Sequence, residues 1–318
     1  MVQLQAGQKQ LAGLVTRWRE ALFAERARSV GLAAVPPQGP APAPVPKADP
    51  VAVELYKALV EPIFPLAGEF RHWCIIPHGS LKYLSFAALS DGNDLLLNRR
   101  AISYLPSLEA WKRLQEIKRP KQLRRIVCLG NPDLGKAEYN LPGAEAEAKS
   151  VAALFPASRI YLRGEANLYH FALDARNADV LHLACHTLPL DERGNRALCL
   201  SPTDRHSGMV GYQDLYTLKT PAFLVSMSAC STGLGEEMKG DEILGFTRGF
   251  LAAGIPSMLY SLWDVPDQST SELMTEFYKR LPNRSLDAAL QEAQQSVAAR
   301  HPSARQWAAF VLYGLWAP

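Results

Sequence analysis

Two reactive side chains stand just past the ends of apolar runs. The run Asp179-Val180-Leu181-His182-Leu183-Ala184-Cys185 leads into His186-Thr187, and Ala222–Ser228 leads into Ala229-Cys230-Ser231-Thr232-Gly233. Each run reads as a buried strand. In open α/β sheets, ligand sites form outside the carboxyl ends of strands. If these two strands are neighbours, His186 and Cys230 face one another. A free thiol with a pKa near 8.5 is only slightly ionised at neutral pH. An imidazole beside it takes the thiol proton and later hands it to a leaving amine. Backbone N–H groups at Thr187 and Cys230 are placed to hold a developing oxyanion. Gly233 and Gly235 allow the tight turn this requires.

The elements that must carry this pair follow from periodicity. Strands are expected at Trp73–Pro77, 95–105, Arg125–Gly130, Ser158–Leu162, Asp179–Cys185, Ala222–Ser228, Ser257–Leu262 and Phe310–Tyr313. Helices are expected at Val51–Phe64, from Ser107 to about Ile117, from Asn140 with Pro142 in the first turn, and at 166–176, 240–253, 268–281 and 285–300. Strands alternating with helices predict an α/β fold, a parallel sheet covered on both faces. A crossover with an inserted hairpin and helix fits between His186 and Cys230.

Three regions are expected: a helical segment over 1–35, a linker over 36–50 and the catalytic body over 51–318. In the first, Leu4, Leu11, Leu14, Val15, Trp18 and Leu22 form one apolar stripe, which suits packing on the body or docking a partner. The second holds seven of the 23 prolines and reads as an extended linker.

The 318 residues are 48% apolar and 20% charged, enough for a large core. Thirty-four Lys/Arg against 31 Asp/Glu give +3, which argues against a dedicated nucleic-acid binder. Five cysteines without a CxxC pair exclude a disulfide framework and a zinc ribbon. No apolar run is long enough for a membrane span, no signal peptide opens the chain, and a reducing cytoplasm is expected. P-loop, GxGxxG and GxSxG motifs are absent, and neither metal nor organic cofactor is expected.

Other candidates have two readings each. Asp264 and Asp267, past the strand ending at Leu262, select a basic substrate side chain or cap the next helix. His78 in the His-Gly turn lines the site or only turns the chain. His182 shares the face of His186 and reads as a core histidine rather than a metal ligand. Cys185 points the other way, into the core. Residues 112–125, with seven Lys/Arg and one Glu, are a solvated helix end or a patch for an acidic partner. The polar stretch 203–208 suits a mobile site loop.

The sequence also resembles the CHAT domain, a bacterial relative of the caspases and separases. The match is carried by Ile76-Pro77-His78-Gly79-Ser80-Leu81, Phe86–Leu89, Leu105-Pro106-Ser107, Asp179–His186 and Ser228–Gly233. It continues through Gly240–Gly245, Phe250–Gly254, Ser261–Val265, Phe277-Tyr278 and Trp307–Phe310. The resemblance implies a caspase-like three-layer α/β/α sandwich with a mostly parallel central sheet. It implies that His186 is the general base and Cys230 the nucleophile of a cysteine endopeptidase working through a thioacyl-enzyme. Thr187 stands where many relatives have glycine, and Ser231 is milder than the residue they often carry. Relatives often sit beside helical repeats that sense a signal, so a regulatory helical-repeat partner or domain is expected beside the protein or peptide substrate. The other reading is a catalytically silent scaffold that binds partner proteins.

Overall fold

The computed structural model describes residues 6–29, 49–191, 196–228 and 240–317, with the backbone alone for 25–29 and 240–244. Of the expected linker, Asp49 and Pro50 are the cap and the first residue of a helix, and the remaining residues 36–48 lie outside the described residues. So do Leu4 and residues 229–239, which include Cys230, Ser231, Gly233 and Gly235.

Eight strands form one sheet: β1 (His72–Ile75), β2 (Ala101–Tyr104), β3 (Arg125–Gly130), β4 (Ala157–Leu162), β5 (Val180–Ala184), β9 (Leu224–Met227), β10 (Ser257–Ser261) and β11 (Phe310–Gly314). Their order is β1-β2-β11-β10-β9-β5-β3-β4. A second sheet of β6 (His186–Pro189), β7 (Arg196–Cys199) and β8 (Met209–Gly211) is antiparallel. It occupies the stretch where a hairpin and helix were expected. There Thr203 and His206 close a bridged turn, so part of the expected site loop 203–208 is a hairpin tip.

The helices are α1 (Gln8–Ser29), α2 (Pro50–Leu59), α3 (Phe64–Ala67), α4 (Leu108–Leu114), α5 (Pro142–Ala152), α6 (Leu168–Ala175), α7 (Gly240–Ala252), α8 (Asp267–Arg280), α9 (Leu286–Ala298) and α10 (Ala304–Trp307). Packing of α5 on α8 and of α8 on α9 makes one helical layer, which touches β3 through α5 and β2 and β11 through α9. The connections β4–α6–β5 and β9–α7–β10 step in the opposite direction along the sheet from β3–α5–β4. Right-handed crossovers therefore put α6 and α7 on the other face.

The sheet is mostly parallel but has a reversal. β10 and β11 pair antiparallel, and β2 and β1 continue in the direction of β11. The five strands β3, β4, β5, β9 and β10 thus end together at the opposite end from β1 and β2.

Several sequence expectations shift at this level. The strand expected over 95–105 shortens to β2, because Leu96–Asn98 forms a 3-10 turn. Helix α4 stops at Leu114, well before Ile117. Asn140 does not cap α5: Leu141 stands at the N-cap with no side-chain cap, and Asn140 instead accepts a bond from Asn131. Cys74 is exposed rather than packed, because β1 is an edge strand.

The apolar stripe of α1 is spent on the body. Leu11, Leu14, Val15, Trp18 and Leu22 are buried, and Trp18 meets Trp263 edge-on at 5.7 Å between ring centroids. Outside the stripe, Arg17 pairs with Glu54 of α2. Trp18 is 1% exposed, so Trp18→Ala leaves a cavity against Trp263. The expected cost is about 3–5 kcal/mol, read as a lower melting temperature; an unchanged transition contradicts the packing of α1.

Candidate active site

The strand order reverses direction beside β5. From β3 the chain moves outward to β4, and from β5 it moves inward to β9. Loops leaving β3 and β5 therefore part, which opens a crevice at their carboxyl ends.

His186 stands in that crevice, two residues past the end of β5 and first in β6, and is 2% exposed. Its Nε2 lies 2.9 Å from the carbonyl oxygen of Tyr139, in the loop after β3. A carbonyl only accepts, so Nε2 carries the proton. In the neutral ring the lone pair is then on Nδ1, which is the basic nitrogen. The Tyr139 ring meets the imidazole edge-on, 5.6 Å between centroids. Burial lowers the pKa of His186; the Tyr139 hydrogen bond and the charge of Asp267 oppose that in part. The imidazole is thus held neutral near pH 7, the form that accepts a proton.

One side chain holds the loop that presents Tyr139. Asn131 follows β3 with φ 51° and is 2% exposed. Asparagine tolerates this left-handed backbone better than most residues. Its Nδ2 donates to Asn140 Oδ1 at 2.9 Å and Glu145 Oε2 at 3.2 Å, and its Oδ1 accepts from Leu141 N–H at 2.7 Å. Its own N–H donates to the Ala184 carbonyl at the end of β5, and its carbonyl accepts from Arg163 N–H. Glu145 also binds Lys149 and Arg163, and these three hydrogen bonds drop its pKa to about 2. Arg163 is the second non-glycine residue with positive φ, also 51°. Asn131, Lys136, Tyr139 and Arg163 line a polar cleft of about 390 Å³ beside this loop. Strained backbone concentrated around one cleft suits a functional site.

Asp267 opens α8 and comes to the same place. Its carboxyl packs on the first turn of α5, where a Cβ added to Gly143 would fall 2.5 Å from Asp267 Oδ2. Desolvation raises the Asp267 pKa, and the charge of Glu147 adds to this, while His186 pulls it down. Asp264 lies in the loop between β10 and α8, at the same end of the sheet, and its carbonyl accepts from Arg305 Nη2 at 3.2 Å. Thr187 is fully buried in β6, and its carbonyl accepts from Arg196 Nη2 at 2.5 Å.

His78 is not brought to this crevice. It follows β1, which ends at the other end of the sheet, and β1 is five strand positions from β5. At about 4.8 Å per strand that is roughly 24 Å sideways alone. Cys230 lies outside the described residues. Its approach is visible: β9 runs parallel to β5 with Met227 level with Leu183, and Ser228 N–H donates to the Leu183 carbonyl at 3.2 Å.

Below the crevice lies a buried polar layer. His182 is fully buried, with Nδ1 at 3.2 Å from the Tyr278 hydroxyl and Nε2 at 3.1 Å from Glu147 Oε1. It bridges α5 and α8 as a core histidine, and no group of three or more metal-ligating side chains occurs among the described residues. The thiols of Cys74, Cys128, Cys185 and Cys199 are all raised, in each case chiefly by desolvation.

Sequence reasoning missed Tyr139, Asn131 and Glu147. Tyr139 acts through a backbone carbonyl, which no side-chain pattern encodes. An available signal for Asn131 was asparagine directly after the strand glycine Gly130.

The fold is similar to solved cysteine peptidases. In the complex of the Porphyromonas gingivalis RgpB pro- and mature domains it covers 84% of this chain and 68% of that one, with TM-score 0.56 and 12% identity. In the Saccharomyces cerevisiae separase–securin complex it covers 82% of this chain and 17% of that one, with TM-score 0.51 and 18% identity. What is shared with both is the fold, helices on the two faces of a mostly parallel sheet. Residues 49–315 match the CHAT domain, and the chain belongs to that family. Tetratricopeptide repeat protein 28 is 26% identical over 306 residues in Homo sapiens and 36% identical over 301 residues in Mus musculus. Each match includes 78% of this chain, which spans 12% of those proteins. No helix among the described residues is long and apolar enough to cross a membrane.

The electrostatics have a direct readout. A proton NMR titration of His186 is expected to give a midpoint below the ordinary 6.5. Asp267→Asn removes a charge that favours the imidazolium, so it moves the midpoint further down; an upward move contradicts this geometry. Asn131→Ala strips three hydrogen bonds from a buried loop. At about 1 kcal/mol each, roughly 2–4 kcal/mol of stability is expected to be lost, measured by denaturant unfolding.

Proposed function

We propose that this chain is a cysteine endopeptidase that uses Cys230 and His186. The observation that carries the reading is the buried His186 imidazole, its pKa lowered and its Nε2 proton directed at the Tyr139 carbonyl, which makes Nδ1 the basic nitrogen. It stands at the end of β5, beside the end of β9 from which the chain runs to Cys230.

The chemistry follows from those roles. The Cys230 thiol gives its proton to Nδ1, and the thiolate sulfur bonds to the scissile carbonyl carbon. The carbonyl electron pair moves onto oxygen, where the N–H groups of Thr187 and Cys230 hold the charge. When that pair returns, the C–N bond breaks and the imidazolium protonates the departing amine. Water then adds to the thioacyl carbon with His186 taking its proton, and the proton returns to sulfur as the acid leaves. No step needs a metal or organic cofactor. Asp267, and with it Asp264, sits at the crevice rim and favours a basic substrate side chain.

Regulation by helical repeats is part of the proposal. It is supported by the names of the matched mammalian relatives, because tetratricopeptide repeats are arrays of paired helices. The protein substrate then meets the crevice while the repeats control access to it.

Cleavage of a peptide library is expected to fall by about a thousandfold or more in Cys230→Ala and in His186→Ala. Alkylation by iodoacetamide separates the enzyme from a silent scaffold. Because the four described thiols are held protonated, an activated Cys230 reacts at least about tenfold faster than any of them, with a midpoint below the free-thiol 8.5. Unchanged cleavage in Cys230→Ala, or alkylation of Cys230 at the rate of the others, refutes the assignment.

A further inference from the structure

The connection from β2 to β3 carries a surface that the catalytic reading leaves unused. The reversed β2 ends at the same end of the sheet where β3 begins, so residues 105–124 stay at that end. Asp179 lies level with Arg125, and His186 lies seven residues further along β5. At about 3.3 Å per residue the surface and the imidazole are roughly 20 Å apart.

This connection is anchored from below and charged above. Leu114 is buried, and Ile117 and Leu123 pack partly into the core. Ser107 caps α4 by accepting from Ala110 N–H. Outward, Lys112, Lys118, Arg119, Lys121 and Arg124 are all exposed, and none has a carboxylate partner among the described residues. Arg113 and Arg125 have one each, Glu109 and Asp179. On α4, Leu108 is 67% exposed and Trp111 37% exposed, three residues apart and so on one face. Exposed leucine and tryptophan on α4 and cations without a carboxylate partner therefore share one connection at one end of the sheet.

We propose that this surface docks an acidic peptide segment that also carries aliphatic or aromatic side chains. The cations attract the acidic residues and set the approach, and Leu108 and Trp111 bury the apolar ones. Two observations favour a peptide over a nucleic acid. The body beyond residue 35 is charge-neutral, so no wide field accompanies the patch. An exposed leucine finds apolar area on a peptide but little on a phosphate backbone. Because the surface is remote from His186, occupancy leaves the crevice open.

The test uses the full chain as Cys230→Ala, so that cleavage does not interfere, and reads fluorescence anisotropy of a labelled peptide of Glu-Asp-Leu repeats. Binding is expected to weaken at least about tenfold in the triple variant Lys118→Glu, Arg119→Glu, Lys121→Glu, which changes only exposed positions. It is expected to weaken similarly in Leu108→Ser with Trp111→Ser, and on replacing the probe by Glu-Asp-Ser repeats. Raising salt from low to physiological strength, where the Debye length is about 8 Å, also weakens it. Unchanged affinity in the charge-reversal variant overturns the proposal. So does tighter binding of a mixed-sequence single-stranded RNA than of the peptide. Both results are independent of whether Cys230 is a nucleophile.

Discussion

The candidate site depends on a single asparagine, Asn131, whose backbone holds three strand ends together and whose side chain pins the loop after β3. Asn131 is attached through its backbone to Ala184 on β5 and to Arg163 after β4, and through its side chain to Asn140, Leu141 and Glu145. These partners come from β5, the turn after β4, the loop after β3 and the first turn of α5. The clasp and the edge-on packing of the Tyr139 ring together set the Tyr139 carbonyl against the imidazole. The left-handed backbone at Asn131 follows from the same requirement, since the chain must turn sharply from β3 toward the α5 N-terminus while its N–H still reaches β5. A buried polar side chain with all its groups satisfied rigidifies a loop in a way that apolar contacts do not.

Charge is then distributed in layers. Beneath the crevice, Glu147 and His182 tie α5 to α8 with Tyr278, all three buried from solvent. The Glu147 carboxylate reaches electrostatically to Asp267, which in turn favours protonation of His186. Burial and Asp267 act on His186 in opposite directions. Burial wins at rest, which keeps the ring unprotonated, while Asp267 lowers the cost of the imidazolium that forms once a thiol proton has transferred. The glycine at Gly143 makes this possible, because any side chain there would occupy the space of the Asp267 carboxyl.

Much of this was legible in the residues. The runs ending at His186 and before Cys230 are continuous and apolar because their strands are covered on both faces, and such runs mark their own ends. The α1 stripe was readable too, but not that it packs against Trp263, since periodicity shows an apolar face without naming its partner. The direction of β1 and β2 was hidden because strand orientation is set by pairing partners far away in sequence. His78 was consequently imagined near a site that lies at the other end of the sheet. Asn140 looked like a helix cap because its local sequence is that of a cap; a tertiary contact with Asn131 took its side chain elsewhere.

The pairing of β2 with β11 also constrains how the protein is made. Ser103 and Tyr104 lie level with Leu312 and Tyr313, so the sheet's first-synthesised strands wait for its last. At 5–20 residues per second of synthesis, that wait is roughly ten to forty seconds. During it the chain can close β3, β4, β5, β9 and β10 into a nucleus that already contains the crevice, while β1 and β2 remain unpaired on their inner edge. Such edges are where nascent chains associate wrongly. The reversed strands are therefore the last part of the sheet to be completed, even though they lie far from the chemistry.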